Sequence, residues 1–422
     1  MKIAYLTADF GVPVMGSKGA SVHVRQLVRA LHNCGHQVHV LTSNCGAEAV
    51  ERFDIPTREI PLGDLLGRLQ SALREEELCR GTRLAQDLRN LLYAVALQRE
   101  AQAFLDDFQP HLLYERYSLF GFAGLELARR NGIPLIVEVN APLVREQERM
   151  RGLSLPTVAR TAERMILTGA DAVIVVSDEL RNYVAAQGVS EDRISVLPNA
   201  ADPDLFFPRG EPSTVRRRLG WESRFVIGFV GSMKSWHGAH ALVEALQILV
   251  QADRRFCLLL VGSGPEQSDL ERKAEQFGVK DHLHMTGAVP HESVPELIGA
   301  MDVAVAPYAA DADSYFSPVK LFEYLAMGVP VIAARIGQAA GILEHGRTGW
   351  LYTAGDSREL AALVANLADQ PELRRRVGAA GREMVLAQFT WRHNARRVIE
   401  IAESLVSERA HAVDSRIGAE VA

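Results

Sequence analysis

The 422-residue chain is poor in cysteine, carries no excess of positive charge and has no long apolar run. Its 4 cysteines, Cys34, Cys45, Cys79 and Cys257, form no CxxC pair. Neither a zinc site nor a disulfide framework is therefore expected, and a reducing compartment fits best. The 46 Lys and Arg stand against 52 Asp and Glu, a formal net charge of -6. No global cationic field would gather phosphate backbones, so a general nucleic-acid binder is not expected. No stretch approaches the roughly 18 consecutive apolar residues that a membrane-spanning helix needs. The opening "MKIAYLTADFG" meets Asp9 too early for the apolar region of a secretory signal and reads as a strand. A cytoplasmic protein is expected, with at most peripheral contact at the inner face of the membrane.

What the chain does have is length, 48% hydrophobic residues and a repeating programme. Two domains with full cores follow from that size. The first half alternates apolar runs (Lys2 to Ala8, "HQVHVLTS", "HLLYE", "PLIVEV", "DAVIVVS") with helical patterns such as "LFGFAGLELARRNG" and "SDELRNYVAAQG". The first helix spans about Ser21 to Cys34. The second half restarts with "RFVIGFVGS", the loop "MKSWHG" and the helix "AHALVEALQILVQA", then "RFCLLLVG", "DHLHMTG" and "DVAVAPY". Alternation of this kind predicts parallel sheets wound on both faces, that is, tandem Rossmann-like domains with ligands at the carboxyl ends of the strands. Pro, Gly and charge replace periodicity in "PNAADPDLFFPRGEPSTVRRRLGWESR", which marks the join. The expected domains are 1–205 and 206–390, then a helix over 391–410 returning to the first domain and a flexible tail over 411–422. Between Leu62 and Phe108 lies an Arg- and Leu-rich helical excursion, read as a solvated charged face or as a membrane or acceptor-docking surface.

One stretch of the second half, "SPVKLFEYLAMGVPVIA", raises a chemical question. It reads as a short helix entered at Ser317 and Pro318, stopped near Gly328 and followed by a buried strand from Val329 to Ala333. Free N–H groups in the first turn make an anion site, and Glu323 lies within two turns of it. A capping role for Glu323 fails on spacing, because it stands six residues beyond Ser317.

Taken in order, "GSKGASVHVRQLVRAL", "EVNAPL", "VSDEL", "VLPNAAD", "FVGSMKSWHG", "LLLVGSGPE", the stretch above, "EHGRTGWLY" and "FTWRHNARRVIEIAESL" resemble the family 4 retaining glycosyltransferases, which use nucleotide diphosphate sugars. The resemblance covers nearly the whole chain and implies the GT-B fold, two Rossmann-like domains whose parallel sheets face an interdomain cleft. It gives Glu323 the donor's ribose hydroxyls, a role suited to a carboxylate that can accept both hydrogen bonds of a vicinal diol. Backbone N–H groups at Val319 and Lys320, with Ser317, would meet the diphosphate. Many members carry a second Glu eight positions before the first, where this chain has Tyr315, so sugar recognition is expected from backbone over Ser314 to Ser317.

The glycine loop departs from the family too. Ser232 and His237 occupy the positions of its usual Arg and Lys, which leaves Lys234 as the cation for the leaving diphosphate and His237 as a helper if protonated. Gly264 and Val289 would flank the nucleobase. Gly16 and Gly19 serve either a close backbone approach to the diphosphate or acceptor, or a plain turn. Glu138 and Asn140, at the carboxyl end of "PLIVEVN", are the acceptor-side candidates, while His23 reads as a packing or surface histidine. The "DAD" of Asp311 and Asp313 reads as a surface loop and not a metal pair.

The expected reaction is metal-independent transfer of a hexosyl group from a UDP- or GDP-sugar to an acceptor hydroxyl, with retention. The acceptor is a small molecule, a lipid-linked sugar or a glycan. A nucleotide-sugar 2-epimerase and a catalytically degenerate sugar-nucleotide-binding protein are the rival readings.

Overall fold

The computed structural model describes residues 1–46, 53–209, 214–310 and 315–421, with side chains described through His411. Asp311, Asp313 and Ser314, to which a loop and a sugar contact were ascribed, lie outside the described residues.

The chain divides into two compact units, Met1–Pro198 with Arg392–Ala422, and Asn199–Trp391. The first junction therefore falls at Pro198 and Asn199, ahead of the expected 205 and 206.

Unit 1 is built on seven strands, β1 (Lys2–Thr7), β2 (Gln37–Thr42), β3 (Thr57–Glu59), β4 (Leu112–Arg116), β5 (Leu135–Val139), β6 (Ala172–Val175) and β7 (Ile194–Val196). Every pair is parallel and the order is β3-β2-β1-β4-β5-β6-β7. The central strands β4, β5 and β6 are buried throughout, which is why they read as mainly apolar runs, broken only by Glu115, Arg116 and Glu138 toward the carboxyl ends of β4 and β5. The order reverses between β1 and β4, and the carboxyl ends on either side of such a reversal are where α/β sheets take ligands.

The long excursion forms helices Asp64–Glu75 and Leu84–Phe108 joined by a short 3-10 turn, Glu77–Cys79. None of the Asp64–Glu75 side chains is buried, whereas Leu84–Phe108 buries Tyr93, Leu97 and Phe108. Among the described residues no helix is long and apolar enough to cross a membrane. Most of the final helix, Trp391–Val421, belongs to unit 1. It buries Ala395, Val398 and Ala402 completely, Asn394 donates to the Pro198 carbonyl at 2.7 Å, and Arg409 reaches both oxygens of Asp171 at 2.8 Å.

Unit 2 repeats the plan with β8 (Phe225–Val230), β9 (Phe256–Val261), β10 (Leu283–Met285), β11 (Val303–Ala306), β12 (Val331–Ala334) and β13 (Trp350–Tyr352), all parallel, in the order β10-β9-β8-β11-β12-β13. Here the reversal lies between β8 and β11. The loop after β8 and the segment from Tyr308 to the helix Val319–Ala326 thus both issue from strands flanking it.

Candidate active site

In unit 2 the loop Gly231 to Gly238 is held by backbone contacts that leave no room for side chains. A Cβ on Gly262 would stand 2.2 Å from the Gly231 carbonyl oxygen, and one on Gly264 would stand 2.5 Å from that of Met233. Met233 N–H donates to Ser263 at 3.0 Å, and the Met233 carbonyl accepts from Glu266 at 3.0 Å. Gly264, expected beside a nucleobase, is thus also the seat of the glycine loop. Val289 is half-buried against the core of the same unit. Tyr308 backs the loop from the other side, with Ala309 N–H donating to the Trp236 carbonyl at 3.1 Å and a left-handed φ of 38° that the surrounding contacts must hold.

The helix expected after Ser317 runs Val319–Ala326, with Pro318 as its N-cap in an extended conformation. Ser317 is not the cap. Its hydroxyl accepts from the Asn199 N–H at 2.8 Å, and its carbonyl accepts from Asn199 Nδ2 at 2.6 Å. The capping expectation fails because the hydroxyl's partner comes from 118 residues away, which no local spacing discloses. At the other end the Gly328 and Val329 N–H groups close back on Leu325 and Tyr324, with Gly328 at φ 67°, the left-handed stop that glycine favours. Tyr324 fixes the helix to β8, accepting from Val230 N–H at 2.6 Å.

Glu323 lies in the second turn of this helix, 5% exposed, and accepts from His291 Nε2 at 2.7 Å. The Phe206 ring packs 5.3 Å from the imidazole. Lys320, one turn earlier, sends its ammonium inward. Its Nζ is buried, 4.1 Å from the Phe229 ring centroid, and burial holds its pKa down at about 7 against the pull of Glu323. Lys234 is half-buried with its ammonium 4.6 Å from the Trp236 ring centroid. Tyr315 and Ser232 are half-buried, and the Tyr315 and Phe316 rings meet at 6.2 Å.

His237 departs from its expected part as a protonated helper. Burial, then the charges of Lys320 and Lys234, push its pKa down to about 3, and Nδ1 donates to the Ser232 carbonyl at 2.5 Å. The ring is neutral at physiological pH.

In unit 1 the polar residues gather on one face of the sheet beside its reversal. Tyr5 pairs with Tyr114 in register and stacks on it at 5.1 Å, while Arg116 is the register partner of Glu138. Glu138 is 3% exposed, accepts from His23 Nε2 at 2.7 Å and lies 3.7 Å from Arg116. Burial alone would raise its pKa, but His23, Arg116 and Asn140 outweigh it and hold the carboxyl at about 2. His23 is therefore a partner of the acidic candidate and not a bystander. Gly16 makes a tight turn, with a Cβ there falling 2.8 Å from both Pro13 and Ser21, whereas a Cβ on Gly19 would meet nothing within 4 Å. Arg25 ties this loop down through the Val14 and Gly16 carbonyls at 2.7 Å. Among the described residues no group of three His, Cys, Asp or Glu side chains forms a metal set.

Two family models account for most of the chain. That of the glycosyl transferase 4-like domain matches residues 18–200, and that of the glycosyl transferases group 1 matches residues 224–370. The chain belongs to the group 1 glycosyltransferases. This glycosyltransferase is 26% identical to the D-inositol 3-phosphate glycosyltransferase of Thermomonospora curvata, with 94% of each chain covered. It is 31% identical to a GDP-mannose-dependent alpha-(1-6)-phosphatidylinositol monomannoside mannosyltransferase of Mycolicibacterium smegmatis, over 59% of this chain and 66% of that one. The solved structure of Anabaena HepE in complex with UDP and glucose is similar with a TM-score of 0.73 and 21% identity, covering 96% of this chain and all of that one. The fold is GT-B.

Sequence reasoning offered no reading of the side chains of His291, Arg116 and Lys320, and placed His23 only as a packing or surface histidine. For Arg116 and Glu138 a signal existed, charged residues ending otherwise apolar strands. His291 sits in a polar turn, 32 residues before Glu323, and nothing in its neighbouring sequence connects the two.

Proposed function

We propose that this glycosyltransferase moves a hexosyl group from a UDP- or GDP-sugar to an acceptor hydroxyl with retention at the anomeric carbon. The observation that carries the donor side is Glu323, a buried carboxylate held by His291 one turn beyond an anion-receptive helix start. Its free acceptor positions suit the two ribose hydroxyls. The diphosphate belongs at the Val319 and Lys320 N–H groups, where the helix dipole and Lys234 oppose the negative charge that grows as the sugar leaves. That charge compensation comes from protein groups, so the reaction is proposed to need no metal. One face of the sugar is used, with the leaving phosphate taking the acceptor proton. Glu138, fully ionised, orients polar groups on the acceptor side with Asn140. The named relatives support a nucleotide-linked donor, since one is GDP-mannose-dependent and HepE was crystallised with UDP. We further propose action in the cytoplasm on a small, lipid-linked or glycan acceptor. None of the relatives described above is an epimerase.

The deciding experiment is thermal unfolding with UDP, GDP and their sugars, on wild type and Glu323→Ala. A ligand at a hundredfold excess over its Kd adds about 2.7 kcal/mol. One base class should stabilise the wild type and leave the variant unmoved. No response from the wild type to any nucleotide ends the donor-site reading.

A further inference from the structure

The ammonium of Lys320 is buried and has no hydrogen-bond acceptor among the described residues. It rests 4.1 Å from the Phe229 ring centroid and 5.7 Å from that of Tyr308, and a Cβ on Gly231 would stand 2.5 Å from Nζ. The cation is thus lodged directly against the first glycine of the loop and carried by the first turn of the Val319–Ala326 helix. Aromatic faces offset part of the cost of stripping water from an ammonium, but an isolated charge in such a place calls for an anion. Glu323 on the same helix attracts it, yet that carboxylate is engaged by His291. The loop cannot supply a buried cation of its own. Ser232 is uncharged, His237 is neutral, and Lys234 lies over the exposed Trp236 ring.

We propose that the Lys320 side chain is the main cationic receptor for the donor's diphosphate, which is the acceptor this ammonium lacks. The proposal rests on the donor-site reading given above and deepens it, adding a side-chain role to a residue placed there for its N–H group alone. It carries a further consequence. The titratable groups facing Lys320 are Glu323 on its own helix, the neutral His237 on the glycine loop and the neutral Tyr308 phenol beyond β11, with Lys234 acting on His237. With its pKa held at about 7, the ligand-free amine is largely neutral at pH 8, and an arriving diphosphate draws a proton onto it.

Calorimetric titration at pH 8, in buffers of different ionisation enthalpy, reads both parts of this. Wild type should take up close to one proton per UDP or GDP bound. Lys320→Met should bind the nucleotide at least tenfold more weakly, take up none, and leave uridine or guanosine binding unchanged. Lys320→Arg, which is charged throughout, should keep the affinity and lose the proton uptake. A raised melting temperature of ligand-free Lys320→Met is expected, since a buried amine with no hydrogen-bond partner is replaced by an apolar side chain, and it certifies folding. If UDP or GDP binds wild type and Lys320→Met within twofold of each other, the Lys320 role is overturned while the donor site stands. If wild type binds neither nucleotide, the donor reading falls and pyrophosphate alone decides. Binding lost in Lys320→Met supports the anion receptor, and equal or undetectable binding overturns it.

Discussion

A carboxyl whose pKa is held at about 2 is a weak proton acceptor at neutral pH, and this limits Glu138 to accepting hydrogen bonds and setting the local field. Its depressed pKa is also a statement about stability. The folded state favours the charged form, so the contribution is complete above the ordinary carboxylate value of 4.5 and drains away as pH falls toward 2. At pH 7 it amounts to about 3 kcal/mol. Urea unfolding at pH 7 and pH 3 should therefore show the wild type losing more stability on acidification than Glu138→Gln. Parallel losses in the two proteins would disprove the ion-pair account. The residues that sequence made legible were those whose chemistry is local, Glu323 at a helix start and Glu138 at a strand end. Lys320 was read only through its backbone, because nothing near it in sequence reveals that its ammonium is walled in by Phe229 and Tyr308 from two other elements.

Among the elements, the glycine loop and the turn after β9 form a single backbone-to-backbone seat. Gly262 combines a φ of 124° with a carbonyl that a Cβ would approach to 2.2 Å, so Gly262→Ala must move the Gly231 strand end. A loss of about 2 to 4 kcal/mol in urea is expected, together with loss of any nucleotide response, because the loop is displaced. Ser317→Ala tests a second join. The Asn199 N–H would lose the Ser317 hydroxyl it donates to, for about 1 to 3 kcal/mol. A change under 0.5 kcal/mol would mean that the hydroxyl contact is incidental. Parallel strands and their helices were readable because alternation needs no long-range information. Of the four edge strands, each of 3 residues, β10 was read from "DHLHMTG" while β3, β7 and β13 were not, since so short a run carries little period of its own.

At the scale of the whole molecule, the two-sheet plan and family followed from ordered motifs, whereas the exact point of division did not. The Pro- and Gly-rich join reads as one linker, but its first residues, Asn199 and Ala201, are already bonded to Ser317 and Thr390 within unit 2. Unit 1 in turn is completed from the far end of the chain. Ending the chain at Trp391 removes the Ala395, Val398 and Ala402 packing and frees Asp171 from Arg409. Limited proteolysis of that truncated protein should cut unit 1 preferentially, with unit 2 surviving as the resistant fragment. Resistance equal to that of the full chain would show the last helix to be dispensable.

That split in unit 1 sets an order of events on the ribosome. Unit 2 is one continuous segment, Asn199 to Trp391, while unit 1 waits for Arg392 onward. At about 5 to 20 residues per second, the last stretch follows some seconds after the rest. The half of the protein made first is thus the half finished last, and during synthesis its open flank is a natural client for a chaperone.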